Sequence, residues 1–393
     1  MYINFWYPVC RSDELSDKPI RVRLLKHDLV AFRGKGGAAA VLSDTCIHRG
    51  GSLAGGKCKD DGTIQCPYHG WRFTAAGDCT RIPSLGILAA IPPRAKVDAY
   101  PVVERYGLVF AFIGDLAEAE RPPIMPIPEY GTAGWRATVV SLDVDYNYER
   151  SIENGLDAAH TEFVHPSMGY QGEREQEYKV NELVPHLVNE WGTGFMSTFD
   201  SPPSKNWLMR RFRKAGGKTQ AGSGTHGPNQ MWTFIHFSAT KFMHQYLFEA
   251  PIEENRTRVF LVNLRNVGVT GWEWLNRRID SLVNAKNLEI AGQDVVVVNK
   301  LAPVLTPSSR TKELLMPHDS VILQYRDFLA RTEAKGWKLD HLAVNAAHAK
   351  GDVVYALPSP GRRTAKGWVL DPAPVIAPSG VSANAAPQVM AAE

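Results

Sequence analysis

Cys46-Ile47-His48-Arg49-Gly50 and Cys66-Pro67-Tyr68-His69-Gly70 stand with seventeen residues between His48 and Cys66. Each stretch offers one thiol, one imidazole and a glycine that closes a tight turn. Thiolates and imidazoles paired this way suit a [2Fe-2S] centre whose two irons are ligated unequally. The thiolates hold the iron that stays ferric, and the neutral nitrogens hold the iron that accepts the electron. Exchanging two anionic ligands for neutral ones raises the potential to roughly −150 to +300 mV. Two Cys and two His also satisfy structural zinc, but zinc fingers group Cys with Cys and His with His, whereas here each loop gives one of each.

Around these loops, residues 1–120 read as an all-β domain. Short alternating runs such as Leu29-Val30-Ala31-Phe32 are punctuated by turns, and Val102 to Ile113 has the apolar density of a central strand. The proline-rich stretch from Arg121 to Pro128 forbids helix and opens a linker over 121–135. Beyond it a second domain, 136–370, mixes strands (178–200, 230–250 and 256–266) with helices (147–160, 271–298 and 318–335). Together these give an α+β chain with an antiparallel sheet. Residues 371–393, rich in Ala, Pro, Ser and Val without a period, read as a flexible tail.

The second domain opens on Asn154-Gly155-Leu156-Asp157-Ala158-Ala159-His160, followed by His165-Pro166. Asp157 and His160 share a face if the helix runs through both. His165 lies about 140° further round a regular helix. The residue before a proline is pushed out of the helical region, so the helix ends between the histidines and His165 can swing back. Two histidines need a carboxylate to complete the facial triad of a non-haem Fe(II). Asp294, ahead of four valines late in the long helix, reads as a buried charge in need of a partner. Glu289 is the alternative.

On these motifs the chain resembles the Rieske non-haem iron oxygenases, in particular oxygenase components built from α-type subunits alone. The resemblance covers roughly residues 1–340. It implies an N-terminal Rieske domain and a catalytic domain of helix-grip type. The implied cofactors are one [2Fe-2S] cluster on Cys46, His48, Cys66 and His69, and one Fe(II) on His160, His165 and Asp294. It also implies a homotrimer fed with electrons from NAD(P)H by a ferredoxin or flavin reductase. Asp157 would bridge His160 to His69 of the neighbouring subunit, and Asn154 would stand just outside the iron ligands. Arg49 is either a donor near the cluster or a surface ion pair.

The implied reaction uses O2 to hydroxylate or oxidatively demethylate an aromatic or polycyclic small molecule. Ring cis-dihydroxylation is the alternative, and an electron-carrying Rieske protein without oxygenase activity is the reading of another class. Trp232, Phe234 and His236 alternate on one strand face. With Phe163 and Met243 they either line an apolar substrate pocket or form ordinary core. Residues 201–230 form a Gly-rich basic segment (Lys205, Arg210, Arg211, Arg213, Lys214, Lys218) that reads as a lid, a docking surface or a solvated loop. The 393 residues carry a net charge of only +3, which gives no reason to expect nucleic acid as partner. No apolar run is long enough to span a membrane. Cys10, Cys58 and Cys79 have no framework spacing, so a reducing cytoplasm is the expected compartment.

Overall fold

The computed structural model describes residues 1–199, 219–307 and 313–379. The six cations between Lys205 and Lys218 lie outside the described residues.

Three antiparallel sheets build the N-terminal part. β1 (Phe5–Arg11) pairs with β11 (Leu108–Ile113), which pairs with β10 (Val102–Arg105). β2 (Ile20–Leu24), β3 (His27–Arg33), β4 (Ala39–Ser43) and β9 (Ala99–Tyr100) form the second sheet. β5 (Lys57–Cys58), β6 (Ile64–Gln65), β7 (Arg72–Phe73) and β8 (Cys79–Arg81) form the third. The C-terminal part is a seven-stranded antiparallel sheet. Its strands are β12 (Arg136–Val144), β13 (Val184–Pro185), β14 (Gly194–Phe199), β15 (Thr219–His226), β16 (Gln230–Ser238), β17 (Lys241–Glu253) and β18 (Arg256–Arg265), in the order β12-β18-β17-β16-β15-β14-β13.

Cross-strand partners share a face, so the register decides what each face meets. Arg265 stands opposite Met243 and Arg136, and both arginines bond Asp280 of the long helix α3 (Glu273–Val298). Thr138 on the same face bonds Asn284. That face also carries α1 (Tyr148–Leu156), whose Ser151 donates to Glu249 of β17 at 2.7 Å. The opposite face packs on the N-terminal part: Phe248, Phe260, Val262 and Leu264 share one core with Phe5, Tyr7, Phe110 and Phe112. A smaller core under the cysteine loops holds Leu42, Leu53, Ile64 and Phe73. The linker is bound down over the sheet, Met125 N donating to Gln230 Oε1 and the Pro123 carbonyl meeting His226 Nε2.

Three expectations change. The basic segment does not run as loop to residue 230, because Thr219–His226 is strand. Within this strand Gly224 makes room for an indole: a Cβ there would lie 2.4 Å from Trp232 Cζ2. The stretch 230–250 is two strands joined by a turn at 239–240. The tail does not start at residue 371. Asp371–Pro372 pairs in parallel with Tyr355–Ala356, Ala373 is buried, and Ile376 N bonds the Lys338 carbonyl. The preceding segment is pinned to the N-terminal part by Arg362 on Asp98, 2.7 Å.

Glu249 is fully buried with Ser151 as its hydrogen-bond partner, and desolvation raises its carboxyl from 4.5 to about 8. The folded chain therefore keeps this proton at pH values where the unfolded chain has lost it. The associated stability is complete below pH 4.5 and is lost as pH rises toward about 8. Glu249→Gln is expected to be more stable than the parent at pH 8 by roughly 2–4 kcal/mol, and equal to it near pH 4.5. Denaturant midpoints across that range check this; a pH-independent difference would refute it.

Candidate metal centres

The two cysteine loops fold alike. Gly50 N bonds the Cys46 carbonyl at 2.9 Å, and Gly70 N bonds the Cys66 carbonyl at 3.1 Å. Both glycines sit at positive φ, 70° and 73°, where a side chain is disfavoured. Each loop so turned buries its cysteine, 2 % and 3 % exposed, and leaves its histidine exposed. The two thiols lie within hydrogen-bonding reach of each other without forming a disulfide, and burial pushes the Cys46 thiol up to about 12. The His48 and His69 rings stand 4.5 Å apart, and His48 stacks on Trp71. Buried paired thiols below and paired imidazoles at the surface fit a [2Fe-2S] group with its accepting iron outward. Arg49 lies over the Tyr68 ring, 5.8 Å from its centroid. Cys10, Cys58 and Cys79 are free thiols, two of them buried.

The second donor set forms between helices. α1 ends at Leu156, and α2 (His160–Val164) is separate. Asp157 and His160 therefore do not share a helix face, contrary to the expectation from spacing. Asp157 instead closes an Asx-type turn: its Oδ1 accepts from Ala159 N at 2.7 Å and from His160 N at 3.3 Å. Its backbone carbonyl, not its carboxylate, accepts from His160 Nδ1 at 2.6 Å. His165 has left the helix, at φ −109° and ψ 100°, as the following proline requires.

These turns bring the Nε2 atoms of His160 and His165 to 3.3 Å. Asp294 Oδ1 lies 3.2 Å from His165 Nε2 and 3.7 Å from His160 Nε2. The three ligand atoms fall within 4.8 Å of one another, the one such group of three or more His, Cys, Asp or Glu among the described residues. Asn154 Nδ2 donates to the same Asp294 oxygen at 3.0 Å. Gln293 Oε1 accepts from His165 Nδ1 at 2.9 Å, which leaves Nε2 bare for a metal. Desolvation lowers the His160 imidazole and also opposes protonation of His165, but there Asp294 and Gln293 outweigh it and raise the group. Two imidazoles and one carboxylate on one side of a point fit a non-haem ferrous ion with open positions.

Asp294 reaches this place for a different reason from the one its valines suggested. Val296 and Val297 are exposed; only Val298 is buried. Glu289 is excluded from the group, pairing with Lys286 on the exposed side of α3. Gln293 escaped the sequence reading, although an amide beside a ligand is a signal that the histidine's second nitrogen needs an acceptor.

The expected apolar pocket is not assembled. Trp232, Phe234 and His236 lie on the sheet face turned away from α3, with Tyr246 and His244 as cross-strand partners of the first two. The period-2 pattern gives a face but not which face meets the iron side. Phe163 is 51 % exposed and packs edge-on against Tyr178. Met243 alone of the five is on the helix-facing side, with Ile235, Gln245 and Leu247.

Two family models match. Residues 5–92 match the Rieske [2Fe-2S] domain, and residues 144–335 match the vanillate O-demethylase oxygenase C-terminal domain. The tert-butanol monooxygenase / tert-amyl alcohol desaturase oxygenase subunit of Aquincola tertiaricarbonis is 39% identical over 177 residues, 43% of this chain and 36% of that protein. The 3-chlorobenzoate-3,4-dioxygenase oxygenase subunit of Comamonas testosteroni is 30% identical over 218 residues, 53% of this chain and 49% of that protein. The alignments thus span less than half the length of these curated relatives. Among solved structures, dicamba monooxygenase bound to 3,6-dichlorosalicylic acid superposes with TM-score 0.69 at 23% identity, over 84% of this chain and 96% of that one. NdmA of Pseudomonas putida CBB5 with caffeine gives 0.67 at 24% identity, over 84% and 91%. At those identities the likeness is one of fold.

Proposed function

Since the chain belongs to the Rieske oxygenases, we propose that it is an oxygenase component that hydroxylates or oxidatively demethylates a small aromatic or polycyclic molecule. The observation that carries this reading is the convergence of His160, His165 and Asp294 in the chain that also holds the paired cysteine–histidine loops. When bound, a [2Fe-2S] cluster and a ferrous ion supply stored electrons and reductive activation of O2.

The residues divide the remaining work. Buried Cys46 and Cys66 and exposed His48 and His69 would hold the cluster. Asn154 and Gln293 fix Asp294 and His165 so that the three ligands stay on one side of the metal. The organic substrate lies between the sheet and α3, where Ile235, Met243 and Leu247 offer apolar contact and Gln245 an amide. Electrons come from NAD(P)H through a ferredoxin or flavin reductase. A head-to-tail homotrimer sets the exposed His69 of one subunit against Asp157 of the next. Among the described residues no helix is long and apolar enough to cross a membrane, and we place the enzyme in the cytoplasm.

The match of residues 144–335 to a demethylase-type domain supports single-oxygen chemistry, and the dioxygenase relative keeps cis-diol formation as the second reading. A panel of aryl ethers, N-methyl heterocycles and arenes, incubated with reductase, NADH and 18O2, decides it. Products lighter by a methyl group or carrying one labelled oxygen are expected. A doubly labelled diol would select the second reading. Absence of any O2- and NADH-dependent product, with both centres loaded, would reduce the protein to an electron carrier.

A further inference from the structure

On the sheet face opposite the iron triad, His236 of β16 and His244 of β17 point their Nε2 atoms at each other, 3.2 Å apart. His244 Nδ1 donates to Glu129 Oε1 at 2.7 Å, and the Tyr246 hydroxyl donates to Glu129 Oε2 at 2.9 Å. A histidine whose Nδ1–H is held by a carboxylate presents a bare, more basic Nε2, the arrangement that orients metal-binding histidines. The spacing also fits: two nitrogens at 2.0–2.1 Å from a tetrahedral ion lie about 3.3 Å apart. It is close to the 3.3 Å between His160 and His165. His186 is on this face too, its ring 5.5 Å from Trp232 and 6.1 Å from Phe234.

We propose that His236 and His244, oriented by Glu129, form a second metal site of two imidazoles that takes a divalent transition ion of imidazole preference, such as Zn2+, with water completing its coordination. Burial, then the neighbouring rings, hold His236 below the usual histidine range, so it is neutral and ready to ligate near pH 7. The proton that lies between the two Nε2 atoms belongs to His236 and shifts to its Nδ1 when the ion binds, so both rings ligate as neutral imidazoles and no electron moves. Carboxylate and imidazoles come from different parts of the chain, Glu129 from the linker and the histidines from the β16–β17 hairpin. The site uses none of the groups assigned to oxygen chemistry, and its test needs no turnover.

The iron-loaded protein is dialysed against Zn2+ and its metals counted by mass spectrometry. One zinc per chain beyond the iron is expected, retained in His165→Ala and absent in His236→Gln. Glu129→Gln should weaken uptake 10–100-fold. Calorimetry in buffers of different ionisation heat should show no net proton release per zinc near pH 7, because both rings bind as neutral imidazoles. His236 is half-buried, so its variant keeps the test open if His244→Gln does not fold. No extra zinc, or extra zinc that survives both histidine variants, overturns the proposal and leaves a plain hydrogen bond between two rings.

Discussion

Asp294→Ala is expected to lose the mononuclear iron while the cluster spectrum stays intact. Among the described residues, Asp294 Oδ1 is the one carboxylate oxygen grouped with both bare imidazole nitrogens, at 3.2 and 3.7 Å. Without it the two histidines cannot complete a facial triad, and Asn154 Nδ2 loses its acceptor as well. Substrate-dependent O2 use should fall by at least about three orders of magnitude, equal to about 4 kcal/mol of barrier. Iron analysis beside the visible spectrum separates the two centres. Glu289→Ala serves as the control and should keep both, since that side chain faces solvent and pairs with Lys286. Loss of iron in the control instead would move the ligand assignment to residue 289.

Asp157→Asn has the second largest expected effect and the opposite signature: both metals stay and electron flow stops. The asparagine side-chain oxygen can still accept from Ala159 N and His160 N, so the turn that aims His160 survives. What disappears is the negative charge. Anionic Asp157 is the acceptor proposed to face the exposed His69 of the adjoining subunit. Re-oxidation of the reduced cluster in a single turnover should slow by about 100-fold or more, about 3 kcal/mol. An unchanged rate with full metal content would leave Asp157 only its turn-forming part.

The cluster ligands were legible because a loop that binds metal carries its ligands, its turn glycine and its spacing in a few adjacent residues. His160 and His165 were legible for a similar local reason, Pro166 forcing the break between them. Asp294 was named correctly as a neighbour of the pair on a mistaken premise, its valines being partly exposed. The break at Asp157 was missed because its carboxylate satisfies the backbone locally, and a helix periodicity cannot anticipate that competition. The strand Thr219–His226 was hidden by glycines whose purpose is set elsewhere in the chain, Gly224 by Trp232 eight residues further on and Gly222 by the close approach of Phe195 and Met196. The aromatic face was recognised as a face, but its direction depends on which side of the sheet the N-terminal part covers, a fact of tertiary packing. The Glu129–His244 pair joins residues 115 apart and leaves no local trace.

Phe110 and Phe112 stand in the same apolar interior as Phe248 and Phe260. The separation between the cysteine–histidine loops and the His160–His165–Asp294 triad is therefore fixed, among the described residues, by interlocked side chains. Excising the first 120 residues would bare that interior to water and give a sticky fragment in place of a small electron carrier. Grafting a foreign ferredoxin-like module would demand a matched aromatic seam as well as matched ligands. Redesign of the proposed redox-partner preference accordingly belongs on the outer rim of the cysteine loops, where exchange leaves the shared interior untouched.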